Sequence, residues 1–308
     1  MSQKNAETER PDLRPPSSML WGAAQALGAR AMEQQDAYVA ESWPGLALLA
    51  VADGMGSTRL AREAALAAVA AASDVLRERA PATQEGESSA GDASGGTSAA
   101  QTRKLPETLE DERNARWENL LQQAVHAARM AVLSLEAASE QGAAGSDAAS
   151  LPGATLALAM ISEAELHVAA LGDTRVYHLR NGEARAVTND HSGAQLLVVA
   201  GLIAPEDAAQ HPDRATLYRY LGGDARAGQP DLFHLALQPG DGVLLCSDGL
   251  WSVVDAAGWP LLSPERSAQE LCHLLVSMAE ERGADDNVTA LLAWVDHLPA
   301  EEEANQQD

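Results

Sequence analysis

The chain is poor in aromatic residues, with one Phe (Phe233), four Tyr and six Trp among 308 residues. Its hydrophobic share is still 46%, so alanine and leucine must supply most of the core volume. Cysteine is nearly absent. Cys246 and Cys272 form no CxxC pair, which excludes a zinc ribbon or a disulfide framework. Neither has an Arg six positions on, which excludes thiolate-based phosphate chemistry; both read as small buried apolar residues. No apolar run nears the ~20 residues of a membrane-spanning helix; Leu46–Ala52 has seven. The opening MSQKNAETERPDLRPP lacks the apolar stretch of a secretory signal, so a cytoplasmic location is expected. Positive charge is scarce: 21 Lys and Arg stand against 45 Asp and Glu, for a net charge of −24. That excess repels nucleic acid and anionic membranes, and neither is expected as a partner. It serves solubility first and is compatible with divalent cations or a basic partner.

Other signatures are missing as well. There is no GxGxxG after a strand, no GxxxxGK[ST] and no HExxH, which removes nucleotide loops and zinc-protease chemistry. No repeat of solenoid period is visible.

Residues 1–18 read as a disordered tail, 19–296 as one folded domain and 297–308, ending EEEANQQD, as an acidic tail. Between Arg77 and Lys104 there is no Leu, Ile, Val, Met, Phe, Tyr or Trp. A flexible insertion is expected at about 77–110, because such a stretch cannot bury enough surface to offset its ordering entropy. Ala137–Ser150 has the same character. On either side of the insertion, Leu60–Leu76 and Trp117–Leu135 carry helical periodicity. Strands are expected at Leu46–Ala52, Ala154–Ile161, Glu165–Leu171, Arg175–Leu179, Glu183–Val187, Leu232–Leu237, Val243–Cys246 and Val288–Val295. Asn181-Gly182 marks a hairpin turn. A helix is expected from Ser263-Pro264 to about Arg282. This order fits an α+β protein with mainly antiparallel sheets, not a doubly wound fold.

Acidic residues recur at the expected strand ends, beside glycine or small polar residues. They are Asp53 in Val51–Ser57, Asp173 in Leu171–Arg175, Asp248 in Leu245–Leu250 and Asp286 in Gly283–Thr289; Asp36 is a candidate fifth. A strand fixes its last residue, a short Asp side chain has few rotamers, and glycine admits close backbone approach. Carboxylates gathered this way cannot all stay ionised without cations, and oxygen-only ligands favour Mg²⁺ or Mn²⁺. Singly, each motif is weak, since Asp-Gly is the commonest kind of turn. Together they leave a metal site and a set of turns about equally supported.

The ordered set resembles the metal-dependent (PPM, type 2C) serine/threonine protein phosphatases over Gly28–Val295. Arg30 to Asp36 is similar to the family's opening element, with one extra residue. Val51–Ser57, Gly153-Ala154-Thr155, Gly172–Arg175, Thr188–His191, Leu221-Gly222, Ser247–Leu250 and Asp286–Thr289 follow in family order. The resemblance implies a β-sandwich of two antiparallel sheets flanked by pairs of helices. It implies two Mn²⁺ or Mg²⁺ ions, with Asp53 bridging both, the Gly54 carbonyl on one, Asp248 and Asp286 on the other, and Asp173 toward a third, weaker ion. Asp36 would orient the attacking water and Arg30 would grip the phosphate. The implied partners are phosphorylated proteins, including a bacterial Ser/Thr kinase and its substrates.

Met55 stands where animal members carry a proton-donating His, which points to the bacterial type. Ser57, Gln35 and Thr174 are milder departures. His126 and His273 read as ordinary helix residues and His191 as a capping and loop-fixing residue. The segment from His191 to about Asp213 falls where the family has a mobile flap, and a role in substrate choice is expected of it. The alternative is an inactive member serving as a binding module. Such members lose metal aspartates, whereas Asp53, Asp248 and Asp286 are all present.

Overall fold

The computed structural model describes residues 19–43, 45–55, 59–85, 109–142, 152–162, 164–223, 228–254, 259 and 262–295. The tails expected at 1–18 and 297–308, and most of the expected insertion, lie outside them.

Twelve strands are described: β1 (Met19–Ala26), β2 (Ala37–Trp43), β3 (Leu46–Ala52), β4 (Gly54–Met55), β5 (Gly153–Ala154), β6 (Leu156–Ser162), β7 (Glu165–Leu171), β8 (Arg175–Arg180), β9 (Glu183–Ala186), β10 (Asp231–Ala236), β11 (Gly242–Cys246) and β12 (Val288–Val295). They form two five-stranded antiparallel sheets, in the orders β1-β12-β11-β8-β9 and β10-β7-β6-β3-β2, with β4 and β5 paired apart. The expected α+β sandwich is present.

Side-chain alternation explains the continuous apolar runs. In β3, Ala47, Leu49 and Val51 fill the space between the sheets, while Leu46, Leu48, Ala50 and Ala52 face the helices. In β12, Leu291, Ala293 and Val295 point into the sandwich, and Val288, Ala290, Leu292 and Trp294 point outward under a helix. Both faces are covered, so every residue of these strands is buried. A Leu or Val buried this way stabilises the fold by about 1.5–3 kcal/mol.

On one side lie α1 (Arg59–Glu85) and α2 (Leu109–Gly142), packed along each other. The other side carries α5 (Ala268–Glu281) with the short α4 (Asp248–Trp251), so the second helix pair is one long helix and a single turn. Both long helices exceed their apolar periodicity. α1 runs through 77–85, which corrects the expected start of the flexible insertion, because Ala80 is buried in the helix–sheet core and Arg77 pairs with Glu41 and Asp74. Ala, Arg, Glu and Gln sustain a helix without apolar residues. α2 likewise continues to Gly142, into the stretch expected to be weak. α5 starts at Ala268 rather than Pro264. Ser267 caps it, accepting the Glu270 N–H in a Ser-x-x-Glu box, while Ser263 closes a separate turn with Arg266.

The hairpin turn sits at Asn181 (φ 55°) and Gly182 (φ 78°). Cys246 and Cys272 are free and buried. Among the described residues no helix is long and apolar enough to cross a membrane.

Candidate active site

Register places the acidic residues at one end of the sandwich. Ala37 pairs with Ala52, Leu156 with Leu171, Ala26 with Val288, and Cys246 with both Arg175 and Ala290. Asp36 therefore precedes β2 where Asp53 follows β3, and Asp173, Asp248 and Asp286 flank β7, β11 and β12 at the same end. Asp36 and Asp173 are buried, Asp53 and Asp248 half-buried, and Asp286 lies at the rim.

Electrostatics shows that they face one another. The Asp53 carboxyl is held well above the usual range by burial and then by Asp36, Asp248, Asp173 and Asp286. Burial, with Asp248 and Asp190, does the same to Asp173. Burial pushes Asp36 up to about 7, against the hydroxyls of Thr289 and Ser247. Burial and Asp286 push Asp248 up to about 6, against the nearby Arg214.

Their backbones are fixed by the other motif residues. Thr155 donates its N–H to the Asp53 carbonyl and accepts the Asp53 N–H on Oγ1, 3.0 Å away. The same hydroxyl meets Thr174 Oγ1 at 2.5 Å. Trp251 Nε1 donates to the Asp173 carbonyl at 2.9 Å, and Arg175 stacks 3.6 Å over the Trp251 ring while gripping both oxygens of Asp190. At Gly249 a Cβ would stand 2.1 Å from the Asn287 carbonyl, so the loops carrying Asp248 and Asp286 meet backbone to backbone. Gly54 is buried directly after Asp53.

Two buried carboxylate oxygens, Asp36 Oδ1 and Asp248 Oδ1, have no hydrogen-bond partner. An unsatisfied buried charge is costly, and a hard divalent cation with its waters fits such a pair. Among the described residues no three Asp, Glu, His or Cys side chains are spaced to hold an ion unaided. Mg²⁺-like ions keep several waters and accept carbonyl oxygens, so fewer carboxylates per ion suffice.

A pocket of about 490 Å³ opens on this end, lined by Arg30, Met32, Gln35, Arg214, Asp248 and Asp286 among others. Arg30 sits at its mouth, 81% exposed, and pairs with Asp285 Oδ2 at 3.1 Å, outside the carboxylate cluster. Arg214 escaped the sequence reading. It lies on a 3-10 turn, Pro212–Ala215, at the end of the segment expected to be the flap, which also holds α3 (Gly193–Val199). His191 fixes the neck of that segment: Nδ1 accepts the Gly172 N–H, Nε2 meets Asp231 at 3.1 Å, and its carbonyl accepts the Tyr218 N–H. His126 and His273 are exposed helix residues. Gln25, Ser247 and Thr289 also carried no assigned role; Gln25 is the only polar side chain in β1.

The family model for protein phosphatase 2C matches residues 29–293. The chain belongs to the protein phosphatase 2C family. Similar family members include the serine/threonine phosphatase stp of Listeria innocua, 36% identical over 141 residues, which are 46% of this chain and 56% of that protein. The chain thus spans about half the length of the curated relatives it matches. Among solved structures, the Mycobacterium tuberculosis serine/threonine phosphatase PstP/Ppp is 28% identical with a TM-score of 0.68, over 91% of this chain and 100% of that one. The catalytic domain of PstP in complex with two manganese ions is 25% identical with a TM-score of 0.66, over 91% and 99%.

Proposed function

We propose that this chain is a metal-dependent protein serine/threonine phosphatase, hydrolysing phosphoserine and phosphothreonine in proteins. The observation that carries the reading is the gathering of Asp36, Asp53, Asp173, Asp248 and Asp286 at one end of the sandwich, beside a pocket lined by Asp248 and Asp286, with two buried carboxylate oxygens left unpaired. The two manganese ions of the similar PstP domain support it.

In this reading Asp53 would serve both of two ions, the Gly54 carbonyl would bind one, and Asp248 with Asp286 would hold the other. Asp173 is available to a third. The ions would be Mn²⁺ or Mg²⁺. When bound they supply Lewis acidity, easing deprotonation of the attacking water and neutralising the phosphoryl oxygens. Asp36 Oδ1 orients that water. Arg30, exposed at the mouth, offers a planar fork to two phosphate oxygens. Attack forms an O–P bond and breaks the bond to the serine or threonine oxygen, which leaves with a proton. Met55 cannot donate that proton, so it comes from solvent or from a group other than the residue after Gly54.

The partners in this reading are phosphorylated proteins, among them a Ser/Thr kinase and its substrates. Free, buried Cys246 and Cys272 support a cytoplasmic setting. The test is hydrolysis of p-nitrophenyl phosphate and a phosphothreonine peptide with and without Mn²⁺, by wild type and Asp248→Asn. Turnover that needs Mn²⁺ and is lost in the variant is expected. A folded wild type inert with every divalent ion would leave the binding-module alternative.

A further inference from the structure

Asp36 is braced on three sides. Its Oδ2 accepts two hydroxyl protons, from Ser247 Oγ at 2.7 Å and Thr289 Oγ1 at 2.6 Å. A second layer fixes the direction of the Thr289 proton. Gln25 Nε2 donates to Thr289 Oγ1 at 2.9 Å, and the same amide nitrogen lies 3.4 Å from the Asp36 carbonyl, which can only accept. That fixes the amide orientation and leaves the Thr289 proton for Asp36. The Thr289 N–H donates to Ser247 Oγ at 3.0 Å, and the Ser247 hydroxyl, which also lies 3.3 Å from the Asn287 carbonyl, makes its shorter contact with Asp36. The flanking backbone is held too. Gln34 Oε1 accepts the Asp36 N–H at 3.0 Å and Asn287 Oδ1 accepts the Gln35 N–H at 2.8 Å. Oδ1 alone is left without a partner.

We infer that Gln25, Ser247 and Thr289 form a hydrogen-bond relay that positions Asp36, closing Oδ2 and presenting Oδ1 to the reacting water. The inference rests on the phosphatase reading above. Gln25 and Thr289 come from neighbouring strands of one sheet and Ser247 follows a third, whereas Asp36 opens a strand of the other sheet. The relay therefore ties the two sheets together where the reaction takes place. Two hydroxyl donors on one oxygen also keep the carboxylate from rotating, which a single contact would not.

The test is a double-mutant cycle between Thr289 and Asp36. Thr289→Val keeps the shape and removes the hydroxyl; Thr289→Ser keeps the hydroxyl. With saturating Mn²⁺ and p-nitrophenyl phosphate, Thr289→Val is expected to lower kcat about 10- to 100-fold, the scale of a misplaced reacting group. KM should stay within about twofold of wild type, since the relay touches Asp36 and not the substrate. Thr289→Ser should recover most of the loss, and Thr289→Val should add nothing in an Asp36→Ala background. Thermal melting of the metal-free proteins is expected to show the same coupling. Equal losses in both backgrounds, or wild-type kcat in Thr289→Val, would overturn the relay. A wild type without turnover overturns the phosphatase reading instead, and the melting cycle still decides the hydrogen bonds: coupled losses keep them, additive losses remove them.

Discussion

The guanidinium of Arg214 stands 3.6 Å from Asp248 Oδ2, and both line the pocket at whose mouth Arg30 is exposed. One cleft thus holds two guanidiniums from distant parts of the chain, one of them carried by the segment after His191. Two planar forks suit a phosphate dianion.

Removing either Arg should therefore weaken phosphopeptide hydrolysis. A lost charged hydrogen bond is worth about 1.5–3 kcal/mol, or roughly 10- to 100-fold in kcat/KM. Arg30→Lys should restore little, since an ammonium lacks the fork. Arg214→Ala should leave the Mn²⁺ concentration for half-activation no higher than wild type, because a cationic neighbour of Asp248 competes with a metal ion. A raised Mn²⁺ requirement would make Arg214 a brace for Asp248 rather than a phosphate contact.

Metal-free stability should fall as pH rises. Asp36 at about 7 and Asp248 at about 6 lie above the unfolded carboxyl value, and Asp53 and Asp173 are raised in the same direction. A raised folded pKa means that the folded state holds the proton more tightly. That contribution is complete below about 4 and is lost as pH climbs through about 7. His167, stacked on Trp117 and lowered to about 4 by burial, acts in the opposite sense, losing stability as pH drops below about 6.5. The gain on adding Mn²⁺ isolates the carboxylates. The melting temperature should rise more with Mn²⁺ at pH 8 than at pH 5; an equal rise at both would contradict this.

Gly249→Ala should separate the two halves of the site. Its Cβ would meet the Asn287 carbonyl, so the loop of Asp286 must move away from Asp248. Overpacking costs about 1–3 kcal/mol. Melting should show a folded but weakened protein whose response to Mn²⁺ is reduced at least tenfold in affinity. A variant that binds Mn²⁺ like wild type would show that the close approach is unrelated to the site.

How much of this was legible depends on burial. The bounds of β3, β7 and β12 follow from sequence, because strands covered on both faces are rich in apolar residues: β3 without interruption, β7 broken by Glu165 and His167 and β12 by Thr289. β1 and β2 were not anticipated: both lie at sheet edges, where small and polar residues interrupt the pattern. α1 runs past its apolar stripe because Ala80, small as it is, is buried in the helix–sheet core. Asp53, Asp248 and Asp286 are visible because each carries a local Asp-Gly or Asp-Asn signature, and Asp173 because it follows a glycine at a strand end; Asp36 has no such signature. The relay behind Asp36 was not, since Gln25 and Thr289 are 264 positions apart and each is unremarkable alone. Arg214 was hidden for the same reason: nothing near it in sequence says that its turn folds over Asp248.

The most direct test of the account is calorimetric titration of Mn²⁺ into the metal-free wild type and Asp53→Asn. The wild type should bind two ions per chain with high affinity, and Asp53→Asn, which loses the carboxylate proposed to serve both, should lose at least one and bind the rest at least tenfold more weakly. A wild type that binds no Mn²⁺, or an Asp53→Asn variant that binds the same two ions as tightly, would contradict the shared-aspartate centre on which the phosphatase reading stands.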